Sequence, residues 1–337
     1  MNNEIENKKD EVRAKKTGRV AGWAVIIVIA LIFIFIAVFA LGIYVFSWQD
    51  KWTQKVEKIV PYPAALVDYK FLTFNSYNFD LDTLAHYYQE GGVSENAGIA
   101  TPSAESMEKA VLKRMIRNEI TRQLAKEYKV KVTKLESDQE LQKIMAQSDD
   151  ETTAINTLKT LYNWTPEQYR DNVVYYYLLR SKLAEKLSFD DNLPNNIEAK
   201  KKADSVLAEV RANPDDFASI AKTSSEDTTS AENGGNLGTI ARGQMVSEFE
   251  EAAFKLEKGE ISDLVRTTYG FHIIKVLNIT GEGESQTREV SHILIMTQDI
   301  DEYITAQLAK ARVYVFKKGL KWDKTTGEAI STAANQQ

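Results

Sequence analysis

The sequence predicts an α+β protein with one N-terminal transmembrane helix, a mainly helical middle segment and a C-terminal segment that mixes strands with helices. Three observations support this prediction. Residues 20–46 form an apolar run without a charge. Apolar residues between 111 and 124 recur at the three- and four-residue spacings of a helix. Residues 270–278 and 288–296 alternate in side-chain polarity, as strands do.

The composition excludes several classes of chemistry. The chain has no cysteine, so disulfides, thiolate metal sites, a cysteine nucleophile and an acylated-cysteine anchor are excluded. Its three histidines are His86, His272 and His292. Since only two of them converge and no acid repeats at ligand spacing, we expect neither a metal nor a cofactor. The net charge of −6 argues against a nucleic-acid partner.

The apolar run predicts a transmembrane helix over residues 20–47 that contacts the lipid bilayer. A helix of this length is about 40 Å long, enough to span the bilayer with some tilt. The alternative is a cleavable signal peptide, whose apolar region is usually only about 7–15 residues long. Six Lys/Arg precede the run, so the positive-inside rule puts residues 1–19 in the cytoplasm and the following residues outside.

Residues 48–190 are predicted to form a mainly helical domain. Pro61 and Pro63 disfavour a helix and indicate short extended pieces near the start of this segment. A later helix is predicted to begin at Thr165, because Pro166 suits a first helical turn and Gln168 completes a capping box. The tyrosines at 175–177 fit core packing, with a peptide-binding surface as the alternative.

This helical segment resembles the N-terminal chaperone region of the SurA/PrsA/PpiD foldases. The similarity lies in VPYPAALVDYKFLTFNSY, KAVLKRMIRNEITRQLAKEYKVKVT and TPEQYRDNVVYYYLLRSKLAEKL. The resemblance implies a cradle for unfolded polypeptides that has no chemistry of its own.

Residues 197–297 resemble a parvulin-type peptidyl-prolyl isomerase domain. The similarity lies in DFASIAKTSSEDTTSAENGGNLG, RGQMVSEFEEAAFKLEKGEIS and VRTTYGFHIIKV, which follow one another in the family's order and spacing. The resemblance implies a four-stranded antiparallel sheet with surrounding helices. One departure is Asn236, where the family usually has Asp.

The family's opening strand is missing from its usual place before the first helix. A matching segment, REVSHILIM, instead follows the last strand of the domain. We therefore predict a circular permutation in which the first strand lies at 288–296 and pairs antiparallel with 270–278. A register centred on Glu282 would put His272 directly opposite His292. The alternative is a truncated second parvulin repeat that begins at residue 288.

The remaining residues, 298–337, are predicted to form a C-terminal helix and tail. Ile304, Leu308, Ala311 and Val315 share one helical face, and Gly319 is expected to end the helix.

The parvulin resemblance also implies the site residues. Asp227 occupies the position of the family's catalytic Cys or Asp, and His272 and His292 match its histidine pair. The substrate-binding positions, which form the proline pocket and the approach to it, are matched by Met245, Phe249, Thr267 and Tyr269.

These features predict a membrane-anchored isomerase and chaperone that assists the folding of exported proteins. Its partners would be unfolded or exported polypeptides that contain X-Pro bonds. It would be a single-pass protein of the cell membrane, with a cytoplasmic N-terminus and an extracytoplasmic ectodomain. The alternatives are a catalytically inactive parvulin-like holdase and a structural scaffold of the cell envelope.

Overall fold

The computed structural model describes residues 26–91, 101–148 and 150–332. The predicted cytoplasmic tail, 1–19, lies outside the described residues. The chain divides into two compact units. The described residues of the first unit fall within Met1–Ile116, Thr160–Asn163 and Lys310–Gln337, and those of the second within Arg117–Lys159 and Trp164–Ala309.

The first unit combines helices with a small antiparallel sheet. Its elements are α1 (Ile26–Tyr44), α2 (Lys51–Glu57), β1 (Pro63–Val67), β2 (Lys70–Thr73), α3 (Phe74–Gln89), β7 (Val313–Val315), β8 (Leu320–Asp323) and β9 (Glu328–Ser331). The strand order β2–β1–β7 brings a late segment of the chain beside an early one, and β8 pairs with β9. The extended pieces predicted around Pro61 and Pro63 are β1 and β2.

Helix α1 is the part of the predicted transmembrane segment that the structure describes. Among the described residues it is the one helix long and apolar enough to cross a membrane, a test that an N-terminal signal sequence would also pass. Most of its large apolar side chains are exposed, as the lipid-facing side chains of a single spanning helix would be.

The residues of two helices are divided between the two units, and the other elements of the second unit are helices and strands. The shared helices are α4 (Ala104–Glu127) and α6 (Glu151–Tyr162). The second unit adds α5 (Lys134–Met145), α7 (Pro166–Tyr169), α8 (Tyr175–Ser188), α9 (Pro194–Ala212), α10 (Phe217–Ser224), α11 (Thr228–Ala231), β3 (Asn236–Ile240), α12 (Ser247–Lys255), β4 (Val265–Thr267), β5 (Gly270–Thr280), β6 (Thr287–Met296) and α13 (Ile300–Lys310).

The helix start predicted at Thr165 is confirmed. Thr165 Oγ1 accepts the Gln168 backbone N–H, and Gln168 Oε1 accepts the Thr165 backbone N–H at 2.8 Å. A single π-turn, Arg170–Val174, separates this helix from α8. Of the three tyrosines that follow, Tyr177 is exposed and the other two are half-buried.

The four-stranded antiparallel sheet has the order β3–β6–β5–β4 and is buried on both faces. On one face, Phe271, Ile273, Ile293 and Ile295 pack with apolar residues of α9 and α10. On the other face, apolar residues of β5 and β6 pack with those of α12. The alternation of side chains along each strand places His272 and His292 on the α12 face.

Strand β6 joins this sheet as the permuted arrangement predicts, but the predicted register is wrong. His272 lies opposite Leu294, and His292 lies opposite Ile274. The turn between the strands contains the 3₁₀ segment Gly283–Ser285 and is not centred on Glu282. A bulge between Val276 and Asn278 shifts the ladder back by one residue, so that His272 pairs with Leu294 and not with Ile295. The two histidines still share a face and are diagonal neighbours.

Arg288 of β6 holds the end of α12 against the sheet. Its buried guanidinium donates hydrogen bonds to the carbonyl oxygens of Leu256 and Phe254, at 2.6 and 2.7 Å. These carbonyls lie at the C-terminal end of α12, where a helix leaves acceptors unpaired. Because α12 also carries Phe249, this contact helps to hold the Phe249 ring over the sheet face on which the two histidines lie.

The C-terminal helix is shorter than the sequence predicts. It is α13, which ends at Lys310, and Val315 lies in β7 instead of on the helix. The sequence VYV is rich in residues that favour strands, and pairing with β1 supplies the hydrogen bonds that a helix would otherwise provide. Ile304 and Leu308 are buried in α13, as their helical spacing predicts.

Gly235 is the point of closest backbone approach between the turn before β3 and strand β6. Its φ is +78°, and a Cβ atom added there would overlap the carbonyl oxygen of His292. The His292 backbone N–H donates to the Gly235 carbonyl oxygen at 2.8 Å. Any side chain at this position therefore strains the backbone and pushes β6 away.

We expect Gly235→Ala to weaken the β3–β6 contact by a few kcal/mol. The positive φ alone costs about 1–2 kcal/mol and the overlap adds roughly 1–3 kcal/mol. The matched control is Gly243→Ala, where φ is +84° but the added Cβ meets open space. Hydrogen exchange of a peptide covering 288–296 in the full chain measures the local opening free energy. Equal effects of the two substitutions would contradict the proposed close approach.

Candidate functional site

Two buried histidines form the centre of the site. His272 comes from β5 and His292 from β6, and their Nδ1 atoms lie 3.1 Å apart. The two rings are stacked, with centroids 5.3 Å apart and an interplanar angle of 24°. Both side chains are buried on an otherwise apolar sheet face, so each ring nitrogen needs a hydrogen-bond partner.

The partners of the two rings define one direction of hydrogen bonding. His292 Nε2 lies 2.9 Å from Asp227 Oδ2, and because an ionised carboxylate only accepts, this nitrogen carries the proton. In a neutral His292, Nδ1 then accepts the N–H of His272 Nδ1. His272 Nε2 in turn accepts the hydroxyl proton of Thr267 Oγ1, at 2.8 Å. Thr267 Oγ1 also accepts the backbone N–H of Tyr269 at 3.1 Å.

Asp227 lies at the start of α11 and is held by its own turn. It is the N-cap residue of that helix, and its Oδ1 accepts the Thr229 backbone N–H at 3.2 Å. Ser230 Oγ donates to Asp227 Oδ2 at 2.6 Å and lies 3.1 Å from His292 Nε2. Local capping and the histidine contact therefore fix the same carboxylate.

Burial and hydrogen bonding set the charge states of the site. Burial, and to a lesser degree the neighbouring His292, together lower the pKa of His272 to about 3 from its ordinary value of 6.5, against the opposing effect of Asp227. Burial also lowers the pKa of His292, although its hydrogen bond to Asp227 opposes the shift. Partial burial opposes ionisation of Asp227, but the hydrogen bonds from Ser230 and His292 outweigh it and lower its pKa. Near neutral pH the site consists of two neutral imidazoles and one carboxylate.

The carboxylate is the part of this network that reaches solvent. The Asp227 side chain is 24% exposed, whereas that of His292 is 6% exposed. His272 and Thr267 are buried. All four ring nitrogens are engaged in hydrogen bonds, so neither imidazole offers a free lone pair to a metal or cofactor. A substrate would therefore meet Asp227 and not the histidines.

An apolar wall flanks the histidines. The buried Phe249 ring from α12 stands nearly perpendicular to both imidazoles, with centroid distances of 5.3 Å to His272 and 5.8 Å to His292. Met245 is half-buried and packs against the same apolar cluster. The Phe249 ring stands beside the imidazoles that hold Asp227, and Met245 packs on the same apolar cluster, a combination that suits an apolar ring attached to a polar backbone.

The side chains of six of the seven predicted site residues take part in the hydrogen-bond chain or the apolar wall. The side chain of the seventh, Tyr269, does not. Asp227, His272, His292 and Thr267 form the hydrogen-bond chain, and Met245 and Phe249 line the apolar wall. The Tyr269 side chain is 62% exposed in the turn before β5, and it joins the network through its backbone N–H alone.

Three residues of this region were missed from the sequence. Ser230 stands three residues after Asp227. This is the spacing between an N-cap residue and the first turn of its helix, and it could have indicated that the two side chains meet. Ser225 Oγ accepts the Leu294 backbone N–H at 3.1 Å, and Glu226 pairs with β6 through its backbone N–H to Leu294 O at 2.7 Å. Nothing in the local sequence indicates these two long-range contacts.

Segment 225–226 continues the sheet edge beyond β3. Strand β3 pairs with β6 from Arg288 to Ser291, and residues 225–226 take up hydrogen-bonding positions on β6 from Leu294 onward. Glu226 Oε2 also accepts the Met296 backbone N–H at 2.6 Å. The strand that supplies His292 thus also holds the loop that supplies Asp227.

Asn236 stabilises the turn into β3 through its side-chain amide oxygen. Its Oδ1 accepts the Gly238 backbone N–H at 2.6 Å and stabilises the turn into β3. A carboxylate oxygen in the same place could make the same hydrogen bond. The departure from Asp at this position therefore leaves the geometry of the site intact.

Comparison with known proteins identifies two domains in the chain. Residues 10–184 match the model of a SurA-like N-terminal domain, and residues 183–280 match that of a PPIC-type PPIase domain. The second match ends before β6. Relatives include foldase protein PrsA of Geobacillus kaustophilus (strain HTA426), 37% identical over 51% of this chain and 63% of the relative. Foldase protein PrsA of Staphylococcus aureus (strain MRSA252) is 44% identical over 29% of each protein.

The chain thus spans less than two thirds of the length of these curated relatives. Among solved structures, peptidylprolyl isomerase PrsA from Bacillus anthracis is 23% identical, with a TM-score of 0.20, over 58% of this chain and 84% of that one. The domain models together cover most of the sequence, and the first alone covers more than half. The chain therefore belongs to the family of SurA-like N-terminal domain proteins, and here that domain is followed by a PPIC-type peptidyl-prolyl isomerase domain.

Proposed function

We propose that this chain is a peptidyl-prolyl cis/trans isomerase and chaperone that assists the folding of exported proteins at the outer face of the membrane. Residues 197–297 would form the isomerase domain and residues 48–190 the domain that holds clients, with 298–337 as a C-terminal helix and tail. The clients are unfolded or exported polypeptides that contain X-Pro bonds.

The observation that carries this proposal is a fixed carboxylate beside an apolar wall. Rotation about an X-Pro bond faces a barrier of roughly 18–20 kcal/mol, because the planar amide is stabilised by resonance. That resonance places negative charge on the carbonyl oxygen, and twisting the bond removes it. A carboxylate near this oxygen disfavours the planar state relative to the twisted one, and so lowers the barrier. Asp227 is the exposed carboxylate of the site, and its neighbours hold it ionised.

In this mechanism the histidines position Asp227 and do not transfer protons. Their hydrogen bonds run in one direction from Thr267 to the carboxylate, and both rings stay neutral near pH 7. Met245 and Phe249 would receive the proline ring, with the exposed Tyr269 at the approach to the site. Thr267 is buried and would support this approach through its hydrogen bonds to His272 and to the Tyr269 backbone. Binding the ring there leaves the peptide carbonyl free to rotate past Asp227.

Client holding is supported by an exposed apolar face on the small sheet of the first unit. Phe71 and Tyr314 lie on either side of Leu66 in neighbouring strands, and both rings are more than half exposed. The same face favours the second candidate, an inactive parvulin-like holdase. That candidate requires suppression of client aggregation without any acceleration of proline isomerisation.

The membrane location rests on α1 and on the basic residues before it. We propose that the segment 20–47, of which α1 is the described helical part, remains as an uncleaved, single-pass anchor. The N-terminus would be cytoplasmic and the residues after the anchor extracytoplasmic. Six Lys/Arg before the apolar run support this orientation.

Replacing Asp227 by Asn should slow isomerisation of a proline peptide at least about tenfold, equivalent to ~1.4 kcal/mol of barrier. Asn keeps the shape and one acceptor oxygen of Asp227 but loses its charge. The measurement is the exchange rate of a proline peptide by NMR with the full chain in detergent. The control Asp215→Asn makes the same change at an exposed turn and should leave the rate unchanged. A wild-type chain without catalysis, but with holdase activity, would favour the second candidate.

The stability of the isomerase domain should fall as the pH drops from 6.5 toward 3. Above pH 6.5, His272 is neutral in both the folded and unfolded states. Below it, the unfolded imidazole binds a proton while burial keeps the folded one neutral down to about pH 3, so acid favours unfolding. Hydrogen exchange of peptide 288–296, corrected for its intrinsic pH dependence, measures this slope. His272→Gln should reduce the slope and His86→Gln in the first unit should not; equal slopes in all three proteins would contradict the assignment.

The orientation of the anchor can be read from single cysteines, because the natural chain has none. A membrane-impermeant maleimide added to intact cells should label Leu135→Cys, whose side chain is 66% exposed. Asn3→Cys should be labelled only after lysis. Labelling of Asn3→Cys in intact cells would reverse the orientation, and loss of this residue from the mature chain would indicate a cleaved signal peptide.

A further inference from the structure

The chain folds back along α1 directly after that helix ends. The Trp48 backbone N–H donates to Gly42 O at 2.9 Å, and its indole lies 6.1 Å from the Phe39 ring. A Cβ atom at Gly42 would overlap the indole, so the glycine makes room for it. Helix α2 begins at Lys51, three residues after Trp48. It therefore starts near the last turns of α1.

The rest of the first unit contacts the C-terminal half of α1. The Tyr62 hydroxyl donates to Ile36 O at 2.9 Å, and the Tyr44 hydroxyl donates to Pro63 O at 3.0 Å. Lys318 Nζ donates to Val45 O at 2.9 Å, where the carbonyl end of α1 needs donors. These contacts hold the rest of the first unit against the C-terminal half of the apolar helix.

Helix α2 and the turn after it have a buried side and an exposed side. Thr53, Val56 and Glu57 are buried. The exposed side carries Trp52, at 72% exposure, and Ile59, at 82%. These outward positions follow helical spacing, so they share one face.

The exposed side is also basic. Lys55 lies between Trp52 and Ile59 in sequence, and its Nζ stands 4.7 Å from the Trp52 ring centroid. Lys51 and Lys58 are exposed as well. Isolated exposed apolar residues are common on proteins. A tryptophan, an isoleucine and three lysines on one short face, in a chain of net charge −6, have the composition of a helix that lies in a membrane interface.

We propose that this α2 face, defined as Trp52, Lys55 and Ile59 with Lys51 and Lys58, lies on the anionic lipid surface around α1. Trp52 and Ile59 insert among the headgroups, and the lysines contact the lipid phosphates. The occupant is a lipid surface because the face continues the apolar surface of α1 through the exposed Phe46 and Trp48. The inference rests on the proposed anchoring by α1 and adds a second membrane contact to it.

The test uses single-cysteine variants of the full chain, labelled with bimane and reconstituted in vesicles of phosphatidylcholine and phosphatidylglycerol. Brominated lipids quench a label only where it enters the bilayer. We expect strong quenching of Phe33→Cys in α1 and of Ile59→Cys in the α2 face. The matched control is Tyr69→Cys, 73% exposed in the turn between β1 and β2, which should not be quenched.

The outcomes separate this inference from the anchoring proposal. Quenching at position 33, with position 59 no more quenched than 69, would overturn the inference and leave the anchor in place. No quenching at position 33 would overturn the anchor and the inference with it. Protection of the 59 label from aqueous iodide that disappears on dilution, without bromolipid quenching, would identify a second copy of the chain as the occupant and overturn the proposal.

The basic part of the face has its own control. Changing Lys51, Lys55 and Lys58 to Gln should reduce quenching at position 59 severalfold in vesicles with phosphatidylglycerol, while position 33 stays unchanged. Equal quenching at position 59 in pure phosphatidylcholine, with or without the lysines, would overturn the assignment to anionic lipid.

Discussion

The antiparallel pairing of β6 with β5 is the interaction on which the candidate site depends. It brings His292 beside His272 and gives β3 its partner in the sheet. The same strand receives the segment 225–226, which carries the loop of Asp227. One strand thus determines the position of an imidazole, of a sheet edge and of the carboxylate.

The direction of hydrogen bonding through the site follows from a single charge. Because the carboxylate of Asp227 accepts, each ring nitrogen and the Thr267 hydroxyl have one assigned role. Loss of any one of these partners leaves a buried polar atom unpaired, at a cost of about 1–3 kcal/mol. The burial that makes the network vulnerable also keeps both imidazoles neutral, so the network does not reverse direction near neutral pH.

Much of this fold could be predicted from the sequence because its signals are local. The apolar run, the capping box at Thr165 and the alternation in β5 and β6 each depend on neighbouring residues, and the structure confirms them. The register of β6 could not be predicted, since it depends on where the turn closes and on a bulge with no marked sequence. Placement of Val315 in a strand depends on a partner, β1, that is more than 240 residues away.

The residues of the candidate site could also be predicted in large part, but their supporting contacts could not. The parvulin resemblance implied its residues, but the contribution of Ser230, Ser225 and Glu226 depends on how the loop lies along β6. The exposure of Tyr269 is likewise set by its turn and not by residue type. Sequence order and spacing identify which side chains meet, whereas tertiary packing decides which of them reach solvent.

The position of β6 in the chain has a consequence for biogenesis. This strand is interior to its sheet, yet it comes after the other three in the order of synthesis. A nascent polypeptide that has emerged only as far as residue 286 contains β3 and β5 but lacks the strand that pairs with both of them. It also lacks His292 and the hydrogen-bond partners of the Asp227 loop. Whatever catalysis the domain performs must therefore wait until β6 has been synthesised and has entered the sheet.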